Sequence, residues 1–260
     1  MLRPILLVTA LNAVASYATA FVGLLLVAEI TNVFTYRVGY VALLVGIPSL
    51  ILMVTDLLLY SYVFRAVTLG RPLTLPGAAR LLKHLAVASA PVLLLVAPEL
   101  AAGVGGVVAE EAFYGAVALV ATVWSAILAL YAFFVHPVYA PYAGLAVATC
   151  VDLGGGTCVF SSMRRYLRLL PNVVLTSIAV LILTSLTARV LLSLAPPLGS
   201  TLFPVPEVSP LQPWSYSWLE VLRSTMPRYY NLVIGPAHYL LYVYILKLVS
   251  RRKLEGLLQE

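Results

Sequence analysis

Long apolar runs separated by short polar stretches recur six times along the chain. Each reaches about 20 residues or more, the length at which a helix crosses a hydrocarbon core of about 30 Å. The runs predict spans at Pro4 to Ile30, Val38 to Phe64, Leu81 to Val108, Phe113 to Phe134, Leu169 to Leu194 and Tyr229 to Ser250. The first is longer than the apolar core of a signal peptide and is interrupted by Asn12 and Ser16, so it reads as a retained span. The fold class is therefore all-α: one polytopic transmembrane domain over residues 1–260, with six transmembrane helices.

Composition supports lipid as the solvent. With 62% hydrophobic and only 10% charged residues, and a mean hydropathy of +1.01, too little polar surface exists to cover a water-soluble globule. The charges that remain are ordered. Of 16 Lys and Arg, 12 fall at Arg3, between Arg65 and Lys83, between Arg164 and Arg168, and between Lys247 and Lys253. These four places alternate with pairs of spans, which predicts a cell-membrane (inner-membrane) protein with both termini cytoplasmic. The net charge of +6 then reflects headgroup contact and orientation before any soluble acidic partner.

The opposite face carries one long connection, residues 195–228. Its seven prolines exclude a continuous helix in its first half, while Trp214, Trp218, Leu219 and Leu222 recur at helical spacing, as in a short helix lying among headgroups. A short basic tail, residues 251–260, ends the chain.

Two inward loops share a pattern. Leu69, Gly70, Arg80 and Leu85 recur as Leu153, Gly154, Arg164 and Leu169 at a constant offset of 84. This reads either as an internal repeat relating spans 2–3 to spans 4–5, as in many transport folds, or as the common need of inward loops for Gly and Arg. Beyond Phe134 the apolar character continues through HPVYAPYAGLAVATCVDLGGG. Pro137 and Pro141 interrupt helical hydrogen bonding there, so a broken extension of span 4 is expected, with Pro137, Pro141, Gly154, Gly155 and Gly156 as a hinge. The three glycines lack the strand before and the Gly-Lys-Ser/Thr after that a phosphate loop needs. Cys150 and Cys158 form no CxxC pair and are expected as reduced, small apolar fillers. Arg far exceeds Lys and Gln is scarce, which hints at a heat-adapted source.

The connector FFVHPVYAPYAGLAVATCVDLGGGTCVFSSMRRYLRLLPNVVL, together with Pro236, Tyr239, Tyr242 and Tyr244 in the last span and the tail RRKLEG, resembles the six-span proteins grouped with the membrane domain of glycerophosphoryl diester phosphodiesterases. The likeness covers roughly half of the chain and is topological, not catalytic. It implies a six-helix membrane module. No soluble phosphodiesterase domain is present in the sequence, so that activity is not implied, and the long outward loop departs from the compact pattern.

Polar groups inside the bilayer are costly and are the default candidates for function. Asp56 lies about 12 Å from the cytoplasmic end of span 2, with Lys83, His84 and Tyr60 as candidate partners. It reads as a proton or cation site or as a helix-to-helix hydrogen bond; the second is favoured, because one acid without another intramembrane carboxylate makes a poor relay. Arg189 is expected to pair with Glu29 or Glu99, and His238, near Pro236, is a further candidate.

Enzyme chemistry is not expected. Glu110 and Glu111 superficially resemble the paired-glutamate motif of CPBP intramembrane proteases, but the required downstream Arg is Gly115. His84, His136 and His238, read at different depths, assemble no metal set, and no GxSxG or paired intramembrane aspartates occur, so no cofactor and no metal is expected. The expected function is a non-enzymatic transport or translocation component, such as a channel- or permease-like subunit of an import or export system. The alternative is a structural or assembly module that anchors partners. Membrane lipids, other membrane or cytoplasmic subunits and a separate ATPase are the expected partners, with nucleic acid as one conceivable cargo.

Overall fold

The computed structural model describes residues 6–15, 18, 19, 22, 38–71, 75–108, 114–153, 158–194 and 229–259, and all its described regular structure is helical. The helices are α1 (Leu6–Ala15), α2 (Val38–Val63), α3 (Leu75–Val108), α4 (Tyr114–Leu130), α5 (His136–Leu153), α6 (Cys158–Arg165), α7 (Leu170–Leu194) and α8 (Tyr229–Gln259). Four stretches, Ala42–Thr68, Gly77–Val107, Ala118–Asp152 and Cys158–Thr187, are long and apolar enough to cross a membrane. The outward loop 195–228, the glycines Gly154, Gly155 and Gly156 and much of the first predicted span lie outside the described residues.

Helix ends fall within a few residues of the predicted spans 2, 3 and 5, and α8 starts where span 6 was placed. The fourth span continues past Phe134, as expected, but without a break: a single π turn at Tyr131–Val135 joins α4 to α5, and the helix runs on to Leu153. The expected break is thus a widened turn. Pro137 has no N–H to give, and it sits in the first turn of α5 directly after the π turn, where the ladder is already relaxed. Pro141, inside α5, deprives the Pro137 carbonyl of its partner one turn back, and Ser177 Oγ of α7 donates to that carbonyl at 2.8 Å.

α2 ends in a second π turn, Phe64–Thr68, closed by Leu69 N–H to Phe64 O and Arg71 N–H to Arg65 O, both 3.2 Å. Gly70, at φ 63°, occupies the left-handed position that such a C-terminal cap requires. α2 packs most extensively on α3 and next on α5, while α7 packs on α8. Glycines set the separations. A Cβ on Gly103 would lie 2.6 Å from Leu43 Cδ2, and one on Gly46 would lie 2.8 Å from Leu100 Cδ2, so α2 and α3 run antiparallel in close contact. Gly144 lies equally close to Tyr60, with α5 parallel to α2.

α5 is the centre of the molecule: Ala140 through Ala148 are all buried. α4 is its opposite. Leu119, Val123, Leu130, Phe133 and Phe134 are exposed, Phe133 and Phe134 by 76% and 74%. Such an apolar outer surface suits lipid and would be a liability in water.

Candidate intramembrane site

Asp56 lies nine residues before Arg65 on α2, about 13 Å from that end of the helix. Its carboxylate receives two side chains from other helices. His136 Nε2, on the first residue of α5, lies 3.1 Å from Oδ2, and Tyr239 Oη of α8 donates to Oδ1. The next turn of α2 carries Tyr60, whose hydroxyl lies 2.9 Å from His238 Nε2. The Tyr60 ring meets Tyr239 and Tyr242 edge to face at 4.9 and 5.1 Å. His136 is buried and its Nδ1 has no partner, whereas 33% of the Asp56 side chain stays open. Two groups that can hold or pass a proton, the His136 imidazole and the Tyr239 phenol, therefore converge on one partly open carboxylate.

The supports of this cluster follow from the sequence. Tyr239 and Tyr242 are one turn apart on α8 and share its inward face, as Asp56 and Tyr60 do on α2. Tyr242 donates to Val173 O at 3.1 Å and its Oη lies 3.3 Å from Ser177 Oγ, which ties α8 to α7. Ser177 also holds the Pro137 carbonyl, so the hydroxyl that repairs the proline defect stands one residue from His136. His136 stands directly between the π turn and Pro137, with Pro141 one turn on.

The histidines stand differently from their expected places. His136 and His238, read at different depths, meet one polar cluster on either side of Asp56 and Tyr60. The sequence signal for His136 was its position beside Pro137 in the extension of span 4; an unbroken helical course through that extension, in place of the expected break, brings it to the level of Asp56. Lys83 and His84, proposed partners of Asp56, do not bond it: Lys83 is exposed, and His84 is buried with Nδ1 unpartnered. Arg189 lies on α7, but its side chain and Glu29 are outside the described residues.

Glu99 is fully buried between α2, α3 and α4. Ser125 Oγ donates to Oε1 at 2.7 Å, and Oε2 has no partner. Trp124 on the same α4 turn donates to Leu95 O at 2.5 Å. Glu99 stands level with Gly46, about 15 Å along α2 from Asp56. The described bundle therefore holds a second buried carboxylate, too far from Asp56 for direct exchange between the two.

At the end of α2, Arg65 grips Asp152 at the end of α5 in a fork, Nη1 to Oδ2 at 3.1 Å and Nη2 to Oδ1 at 2.9 Å, and Arg71 reaches Oδ2 at 2.5 Å. This bidentate geometry is the strong form of a carboxylate contact. Two residues before Asp152, Cys150 is disulfide-bonded to Cys158, with Cα atoms 5.7 Å apart. The expectation of two reduced fillers is corrected: the end of α5 and the start of α6 bring both Cα atoms within bridging distance. Ser162 Oγ lies 3.3 Å from Cys150 Sγ and 3.6 Å from Cys158 Sγ. Among the described residues no three His, Cys, Asp or Glu side chains come together as a metal set. No protein-family model, no curated protein and no solved structure matches the chain.

Proposed function

We propose that this chain is a non-enzymatic, six-span transport component of the cell membrane, with both termini cytoplasmic, and that Asp56 with His136 and Tyr239 is its proton- or cation-binding site. The observation that carries the reading is Asp56 itself: an intramembrane carboxylate approached by an imidazole and a phenol from two other helices, with a third of its side chain open. The π turn before His136 adds support, since π turns cluster at functional positions in helices.

Six spans follow if α1 and α8 cross alongside the four apolar stretches. A repeat of spans 2–3 in spans 4–5 agrees with the parallel course of α2 and α5, and Tyr60 and Gly144, which touch, are themselves 84 positions apart. The partners in this reading are membrane lipids, further membrane or cytoplasmic subunits and a separate ATPase, with nucleic acid as one class of cargo.

The test is conduction by the wild-type chain in proteoliposomes. Under an imposed potassium diffusion potential, proton entry reported by an entrapped pH dye should exceed that of protein-free vesicles. Equal rates would favour the second reading, a module that anchors partners without conducting anything. That reading draws on the Arg65–Asp152–Arg71 network, whose groups close on one another.

A further inference from the structure

We propose that Cys150 and Cys158 form a reversible thiol–disulfide exchange site, reduced by a dithiol, whose redox state sets the Arg65–Asp152–Arg71 clamp. The inference does not rest on the transport reading. The two sulfurs stand in unequal places: Cys150 is fully buried near the end of α5, whereas Cys158 is half-buried and is the first residue of α6. A helix N-terminus favours a thiolate, so Cys158 is both the sulfur that an outside thiol reaches and the one best held as an anion once released. Ser162, one turn into α6, has its Oγ 3.3 Å from Cys150 Sγ and 3.6 Å from Cys158 Sγ. One hydroxyl therefore stands within reach of either sulfur in the reduced state.

Exchange takes two displacements. A thiolate of the dithiol attacks Cys158 Sγ, the S–S bond breaks, and Cys150 Sγ leaves with the electron pair. The second thiolate of the reductant then attacks its own sulfur in the mixed disulfide and releases Cys158. Two electrons pass to the pair, each freed thiolate takes up one of the two protons that the dithiol gives up, and the reductant departs as a disulfide. Tyr142 of α5 donates to Met163 O of α6, and Val159 and Tyr166 are buried, so the helices stay together without the bridge and a small-molecule disulfide re-forms it by the reverse steps. Asp152, the carboxylate that Arg65 and Arg71 hold, lies inside the bridged segment two residues after Cys150. With the bridge open, the end of α5 is no longer tied covalently to α6, and Asp152 loosens its hold on the two guanidinium groups. On the orientation proposed above, this end faces the cytoplasm, where thiol reductants act.

The test treats the full chain, folded in detergent, with dithiothreitol and no denaturant, then with iodoacetamide. Both thiols should appear, and Cys158 should be alkylated faster than Cys150 by on the order of tenfold or more. Amide exchange across residues 64–71 should quicken by on the order of tenfold on reduction and return after glutathione disulfide is added. Asp152→Asn, which lacks the ionic clamp, should show no such change on reduction, and Cys150→Ser with Cys158→Ser should exchange at the reduced rate with or without dithiol. The melting transition of the reduced wild type, measured alongside, separates an opened clamp from a lost fold. A bridge that yields to the dithiol only after denaturation, equal alkylation of the two thiols, unchanged exchange in the reduced protein, or a reduced chain without a cooperative transition would each overturn the proposal.

Discussion

A Cβ on Gly144 would stand 2.7 Å from Tyr60 Cβ and 3.0 Å from Ser61 N, so even a methyl group forces α5 away from α2. Gly144→Ala is expected to cost about 1–3 kcal/mol as overpacking and to lower the melting temperature in detergent. An unchanged melting temperature would mean that the two helices do not touch there. Asp56 was legible in the sequence because a lone acid in an apolar run is conspicuous; its partners were not, because helical periodicity gives a residue's face but not the neighbour on another helix. Lys83 and His84 looked adjacent from their depth, yet the carboxylate turns to α5 and α8. Glu99 was noted as a partner for Arg189, but its burial against Ser125 follows from the close approach at Gly46 and Gly103, which no charge count registers.

At the scale of elements, the proline-interrupted helix was legible and its form was not. Pro137 and Pro141 announce a defect; whether the helix breaks or widens depends on a donor elsewhere, here Ser177 on α7. Ser177→Ala should cost about 0.5–2 kcal/mol, in the range of interhelical hydrogen bonds in membranes, and should speed hydrogen exchange near the π turn. Protection equal to wild type would remove Ser177 from this role. At the other end of α5, Asp152→Asn leaves the buried Arg65 guanidinium without its counter-ion. The loss should be about 2 kcal/mol, below the roughly 3–5 of a fully buried pair because 30% of Asp152 is open. A double-mutant cycle with Arg65→Gln measures the coupling, and a value near zero would contradict the fork. The Cys150–Cys158 bridge closes a short loop, for which chain entropy gives about 2–3 kcal/mol. Cys150→Ser with Cys158→Ser should lower the melting temperature accordingly, and wild type denatured without reductant should yield no free thiol from the pair.

For the whole molecule, apolar runs were enough to place the four described stretches that can cross a membrane, because bilayer thickness acts on long segments and leaves a broad mark. The site depends on how α2, α5 and α8 cross, which no such mark records. The disulfide lies on the face that the charge rule turns to the cytoplasm. A disulfide on that face would be unusual in a mesophile's cytoplasm and ordinary in a hyperthermophile's. Protease cleavage of the tail after Arg251 only from the cytoplasmic side would agree with this orientation, and cleavage only from outside would reverse it. The central claim is that Asp56 moves a proton or cation, and Asp56→Asn in proteoliposomes tests it most directly. Substituting a neutral amide of the same shape, whose oxygen can still accept from Tyr239 and whose NH2 can donate to the other tautomer of His136, should leave the melting temperature within a few degrees of wild type while potential-driven proton entry falls by on the order of a hundredfold, the scale of losing one proton-transferring group. Proton entry equal to wild type in a normally folded variant would contradict the account.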